Sequence, residues 1–75
     1  MPKASKFSCR SFGRAIRQAR ESLGLSQEDF AEHADVHRTY ISSVELGKVS
    51  VGIEIANDLA SALGLKLSEL VRRAE

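Results

Sequence analysis

The sequence has few of the residues that give a small protein disulfides or a large aromatic core. Its 75 residues include one cysteine, one proline, one tyrosine and no tryptophan. Cys9 alone cannot form an internal disulfide, which suits a reducing compartment. The length allows one domain near the lower limit for a self-sufficient core, so dimerisation would stabilise it.

Long apolar runs are also absent. None approaches the length of a membrane span, and residues 1–10 carry no apolar stretch of signal-peptide length. Hydrophobic residues make up 43% of the chain and charged residues 28%, a balance typical of a globular domain. We therefore expect a cytoplasmic protein that has no membrane partner.

The net charge is only +1, but the charges are unevenly distributed. Residues 1–25 contain six Lys or Arg and one Glu, whereas residues 26–75 contain five basic and nine acidic residues. The electrostatic field of this uneven charge distribution would orient the molecule on a polyanion. A solvated helix face with a basic tail explains the distribution equally well. We divide the chain into an N-terminal basic arm (1–10) and a domain (11–75).

Apolar residues recur at helical spacing throughout that domain, and no segment alternates like a strand, which predicts an all-α fold of five helices. The first helix begins near Ser11 and ends at Gly24. The fourth lies between Gly52 and Gly64, and a short fifth helix follows. The expected apolar stripes are Phe12, Ile16, Ala19 and Leu23 in the first helix, Ala56, Leu59, Ala60 and Leu63 in the fourth, and Leu67, Leu70 and Val71 in the fifth.

The second and third helices have the clearest start signals. Ser26 and Asp29 have the spacing of a capping box, which predicts a helix over residues 27–34. A third helix over residues 38–46 follows a turn at Asp35 and stops at Gly47. Two short helices joined by a tight turn match the helix-turn-helix motif, whose second helix enters the DNA major groove.

Polar side chains at this motif are suited to DNA. Arg can form two hydrogen bonds with guanine, and Thr and Ser can contact base edges, so Arg38, Thr39 and Ser43 are candidate base contacts, with the amphipathic Tyr40 beside them. The start of the second helix favours a phosphate because its backbone N–H groups are free. The candidate phosphate contacts are Ser26, Gln27, His37, Ser42 and Lys48.

The run GLSQEDFAEHADVHRTYISSVELGK at residues 24–48 and the later LASALGLKLSEL at residues 59–70 resemble the Xre-type helix-turn-helix family, which includes phage lambda-type repressors and Cro proteins. The segment RTYIS at residues 38–42 is similar to the recognition helix of restriction-modification controller proteins. The resemblance implies a five-helix lambda-repressor-like domain, and a transcriptional regulator that binds a pseudo-palindromic operator as a homodimer.

The resemblance also implies roles for individual residues. Gln27 matches a phosphate-binding glutamine, while Arg38, Thr39 and Ser43 match base-contacting positions. Arg20 and Glu45 match an ion pair that joins the first helix to the recognition helix. The matched dimer region comprises Leu67, Leu70 and Val71.

Five positions depart from the family pattern. Asp35 replaces the usual turn glycine, and His37 and Lys66 replace small capping residues. Leu46 stands where a polar or basic residue is common, and Val51 replaces a frequent proline. We expect Asp35 to tolerate the left-handed conformation with some strain, and His37 to weaken the start of the third helix or to contact a phosphate.

Other classes of function have less support. His33, His37 and Cys9 suggest a metal site, but the turn at Asp35 separates the histidines, so we expect no metal. An acid/base role for Glu28, Asp29 and Glu32 is less plausible than a solvated helix face, and no cofactor motif appears, so we expect no enzyme and no cofactor. The remaining alternative is an antitoxin or adaptor that uses this fold to bind a protein partner.

Overall fold

The computed structural model describes residues 7–75, in which five α-helices and no strand are found. The helices are α1 (Cys9–Ser22), α2 (Gln27–Ala34), α3 (Arg38–Glu45), α4 (Ile53–Ala62) and α5 (Leu67–Ala74). The predicted all-α class and the helix-turn-helix formed by α2 and α3 are confirmed. Residues 1–6, which hold most of the expected basic arm, lie outside the described part. No helix within residues 7–75 is long and apolar enough to cross a membrane.

Capping boxes determine where α1 and α2 begin. The predicted box at α2 is present: Ser26 Oγ accepts from the Asp29 N–H (3.0 Å) and the Ser26 N–H donates to Asp29 Oδ2 (3.3 Å). In α1 the cap is Ser8 rather than Ser11, because the two serines form the same reciprocal pair (3.1 and 2.8 Å). Helix α1 therefore starts at Cys9, earlier than its sequence predicts.

The first four helices are each followed by a residue in the left-handed region: Gly24, Asp35, Gly47 and Gly64. Asp35 has φ 57° and ψ 46°, as expected for the turn between α2 and α3. Its N–H donates to Glu32 O (3.2 Å), and the Val36 N–H donates to Ala31 O (2.9 Å). Both bonds satisfy carbonyls at the end of α2 and fix the tight turn that the motif requires.

The apolar core is shared by all five helices. Helix α1 packs against α3 and α5, α2 packs against α3 and α4, and α4 packs against α5. Leu23 was expected in this core, but that prediction is wrong. It is 55% exposed, because it is the C-cap of α1 and lies beyond the last buried turn. The largest fully buried side chains are Phe30, Ile16, Ile41, Leu59, Leu70 and Val44.

Backbone contact fixes α3 against α1. A Cβ atom at Gly13 would lie 2.1 Å from Val44 O and 2.8 Å from Glu45 O. At Gly47, just after α3, a Cβ atom would lie 2.7 Å from Arg10 Cα. The C-terminal end of α3 thus rests directly on α1, and glycine at both positions permits this approach.

Candidate nucleic-acid interface

Helix α3 has one buried side and one exposed side. Ile41, Val44 and Glu45 are buried. Since successive residues of an α-helix are turned by about 100°, Thr39 and Ser43 lie on the opposite side. We call Arg38, Thr39, Ser42 and Ser43 the recognition face.

The side chains of the recognition face remain available for a ligand. Arg38 and Thr39 are exposed, and Ser42 and Ser43 are half-buried. Within residues 7–75 none of these four side chains makes a hydrogen bond. One guanidinium and three hydroxyl groups can therefore bind DNA bases or phosphates without breaking a bond inside the protein.

Tyr40 and His37 lie at the edge of this face. Tyr40 is half-buried against the core, in a shallow concavity that it lines with Val36, His37 and Ile55. Its ring therefore contacts protein on one side and flanks the recognition face. His37 is the N-cap of α3, but its side chain makes no capping hydrogen bond. The first N–H groups of α3 therefore lack a side-chain acceptor, an arrangement that favours an anion.

Arg20 and Glu45 form a buried ion pair, as the family resemblance implies. Arg20 Nε lies 2.6 Å from Glu45 Oε2, and Arg20 Nη2 lies 3.1 Å from Glu45 Oε1. Arg20 Nη1 also donates to Leu25 O at 2.8 Å, before α2. The two side chains are only 10% and 3% exposed. One guanidinium thus joins α1, the start of α2 and the recognition helix.

The ion pair keeps Arg20 charged. The hydrogen bond to Glu45 is the main cause that raises the pKa of Arg20, and the charges of Glu45 and Glu21 act in the same direction. Burial acts against them by lowering this pKa. The net increase adds to an already high ordinary value, so the guanidinium stays protonated at every pH at which the protein would function.

Gln27 has a contact that sequence reasoning missed. Its Nε2 donates to Glu45 Oε1 (3.1 Å), so it shares that oxygen with Arg20. The carboxylate therefore holds the first residue of α2 as well as α1. One amide N–H of Gln27 remains for a phosphate. Gln27 and Glu45 are 18 positions apart in sequence, and no local sequence pattern connects them.

The other candidate phosphate contacts lie around the motif. The Ser26 hydroxyl oxygen already accepts the capping bond, which leaves its proton free to donate. Lys48 is exposed just beyond α3, where its backbone N–H donates to Ser43 O (3.0 Å). Together with the Gly47 N–H, which donates to Val44 O (3.0 Å), this bond closes the end of the helix.

The expected dimer residues on α5 do not form one exposed cluster. Leu67 and Val71 are half-buried. Leu70 is 0% exposed and belongs to the core of its own chain. Helix α5 packs against both α1 and α4, and Leu70 lies on the side of α5 that faces these two helices. We therefore correct the assignment of Leu70 and keep Leu67 and Val71 as the candidate contacts.

The structure does not bring together the residues considered for a metal site or for an acid/base site. His33 Nδ1 lies 2.8 Å from Asp29 O within α2, and the left-handed turn separates it from His37. In residues 7–75 no group of three or more His, Cys, Asp and Glu side chains could hold a metal ion. Glu28 and Glu32 are exposed on α2, while Asp29 is engaged in the capping box.

Comparison with known proteins identifies the class. The helix-turn-helix family matches residues 16–70, and the chain belongs to that family. This confirms the Xre-type resemblance, and the chain is a DNA-binding regulator of that class.

Three relatives show how close the similarity is. The chain is 43% identical over 60 residues to the control protein C.MunI of Mycoplasma sp, covering 79% of this chain and 81% of the relative. The restriction-modification controller protein C.AhdI from Aeromonas hydrophila is 35% identical, with a TM-score of 0.80 over 83% of this chain and 94% of that chain. The clp gene regulator ClgR from Corynebacterium glutamicum is 26% identical, with a TM-score of 0.86 over 97% and 91% of the two chains.

Proposed function

We propose that this chain is a sequence-specific transcriptional regulator that binds a pseudo-palindromic operator as a homodimer, and that it controls a restriction-modification system. The observation that carries the proposal is the recognition face, whose polar groups are free while its helix is fixed to α1 and α2 through Glu45. The names of the relatives C.MunI and C.AhdI support the more specific role.

Each candidate residue receives a role in this proposal. Arg38 contacts a guanine through two hydrogen bonds, Thr39 and Ser43 contact neighbouring base edges, and Tyr40 contacts bases from the flank. The backbone phosphates are held by the following residues: Ser26, Gln27, His37, Ser42 and Lys48. In a symmetric dimer the two recognition helices face half-sites about one helical turn apart, so the operator has inverted symmetry.

Substitutions at Arg38 and Gln27 are expected to have different signatures. Arg38→Ala removes a base contact, so discrimination of roughly 1–3 kcal/mol at one position in each half-site should be lost. Gln27→Ala removes the proposed phosphate contact together with the bond to Glu45 Oε1. Neither contact involves a base, so the substitution should weaken all duplexes by a similar factor. The measurement is the Kd for a panel of single-base variants of the operator at a fixed, stated salt concentration.

Gln18→Ala is the matched control for Gln27→Ala, because Gln18 is exposed on α1 and makes no side-chain contact to Glu45. It should leave every Kd unchanged. An Arg38→Ala variant that lost affinity equally for every duplex in the panel would contradict the base-contacting role.

The homodimer is proposed to form through Leu67 and Val71 on α5. Leu67→Glu would bury an unpaired charge in that contact, so it should convert the dimer to a monomer. Ser68→Glu is the matched control, since Ser68 is the next residue and is exposed. Sedimentation velocity at several concentrations distinguishes the two species. A Leu67→Glu dimer as stable as the unsubstituted one would place the interface elsewhere.

We also propose a cytoplasmic location and no catalytic role or cofactor. Membership in a family of DNA-binding regulators supports these proposals. If the chain binds its operator as a homodimer, the amount of protein controls operator occupancy through dimerisation. Occupancy should therefore rise more steeply than the first power of protein concentration, which a binding titration below the dimer dissociation constant measures.

A further inference from the structure

One large apolar side chain directly extends the recognition face. Leu46 is 55% exposed and immediately follows α3. Its N–H donates to Ser42 O (3.1 Å), and its φ of −85° and ψ of −3° continue the helical backbone. Because Leu46 lies three residues after Ser43 and four after Ser42, its side chain projects from the same face of the helix.

The backbone holds Leu46 in place. Gly47 follows it in the left-handed conformation, and its Cα is packed so closely that a Cβ atom would lie 2.7 Å from Arg10 Cα. The end of the helix that carries the exposed leucine therefore packs directly on α1. An apolar side chain exposed to water gains free energy when a partner covers it.

The chemistry of the major groove limits what that partner is. Among the base edges exposed there, the C5 methyl group of thymine is the apolar one, and aliphatic side chains contact it. The residues before Leu46 on this face, Ser42 and Ser43, are short, so they allow the C-terminal half of α3 to approach the bases. The leucine side chain is longer than either serine side chain, so Leu46 can reach a base edge at this end of the helix.

We propose that Leu46 recognises a thymine in each half-site by packing against its C5 methyl group. The proposal rests on the proposed function and adds a specificity determinant to it. Leu46 lies eight residues after Arg38, about 12 Å along the helix. The recognised thymine therefore lies within about four base pairs of the guanine bound by Arg38, given a rise of roughly 3.4 Å per base pair.

Deoxyuridine tests this contact directly, because it differs from thymidine only by lacking the methyl group. The duplex that the unsubstituted chain enriches from a random pool is resynthesised with each thymine replaced, one at a time. Its Kd is then measured with the unsubstituted chain and with three variants, Leu46→Ala, Leu46→Met and Leu23→Ala. Leu23 is a matched control: it is also 55% exposed and also caps a helix, but it follows α1.

The unsubstituted chain should lose about fourfold in affinity at one thymine in each half-site, the effect expected for burying one methyl group. Leu46→Ala should bind the thymine and uracil duplexes equally, whereas Leu46→Met and Leu23→Ala should keep the difference. A scan with no methyl-sensitive thymine, or sensitivity that persists in Leu46→Ala, overturns the proposal while DNA binding stands. A chain that enriches no duplex overturns the proposed function itself.

Discussion

Replacing Gly13 with alanine is expected to lower the free energy of unfolding by about 3 kcal/mol. The new Cβ atom would lie 2.1 Å from Val44 O and 2.8 Å from Glu45 O, well inside van der Waals contact. Both obstacles are backbone atoms of α3, so no flexible side chain can move aside. The added methyl group therefore forces α1 and the recognition helix apart.

The sign of this effect separates two physical causes. Intrinsic helix propensity alone favours alanine over glycine inside a helix by about 1 kcal/mol, so it predicts a more stable variant. The close approach of α1 and α3 predicts the reverse. Gly13 lies within α1, so alanine there should gain helix propensity. A net loss of stability would therefore mean that the clash between α1 and α3 costs more than this gain.

Chemical denaturation of both proteins provides the measurement, and Gly52→Ala provides the control. Gly52 has φ −65°, and nothing lies within 4 Å of a Cβ atom placed there. It precedes α4 as the N-cap, where alanine costs only roughly 1 kcal/mol or less. A Gly13→Ala variant at least as stable as the unsubstituted protein would show that α1 and α3 do not pack as described.

Removing the carboxylate of Glu45 is the second change with a large expected effect. Glu45→Ala should lower the free energy of unfolding by roughly 3–5 kcal/mol, because it leaves the buried Arg20 guanidinium without its counter-charge. It also removes the acceptor of the Gln27 amide, since Glu45 Oε1 accepts from both residues. The variant should therefore loosen α1, α2 and α3 together.

The surface pair Arg17–Glu21 is a matched comparison within the same protein. Its Nε–Oε2 distance is 3.2 Å, but the side chains are 59% and 54% exposed. Water and salt screen such a pair, so Glu21→Ala should cost at most about 0.5 kcal/mol. Equal losses for Glu45→Ala and Glu21→Ala in denaturant melts would show that the buried network does not hold the helices together.

The helix-turn-helix could be predicted from sequence because its signals are local. The capping pair Ser26 and Asp29 lies within one turn of the start of α2. Asp35 and Gly47 occupy positions where a residue in the left-handed conformation ends a helix, and both residues adopt that conformation. The polar residues of α3 that face outward follow from the spacing of Ile41 and Val44 alone.

Other features depend on contacts that no local pattern records. Helix α1 starts at Cys9, earlier than the expected start near Ser11, because Ser8 and Ser11 cap each other. Leu70 carries the same periodicity as Leu67 and Val71, so only the packing of α5 on two other helices shows that it is a core residue.

The network at Glu45 is the part of the candidate site that sequence reasoning described least completely. The ion pair with Arg20 was expected from the family resemblance, but the bond from Gln27 was not. A glutamine that begins one helix and a glutamate that ends the next meet only after the tight turn has formed. The contact is therefore a consequence of the tertiary structure.

Selection of bound duplexes from a random DNA pool, at moderate and stated salt, shows whether the chain is a sequence-specific, dimeric DNA-binding regulator. We expect enrichment of one inverted-repeat motif, with half-sites about one helical turn apart. Binding without any enriched motif, or no binding at all, would contradict it, and would favour a protein partner for this helix-turn-helix domain.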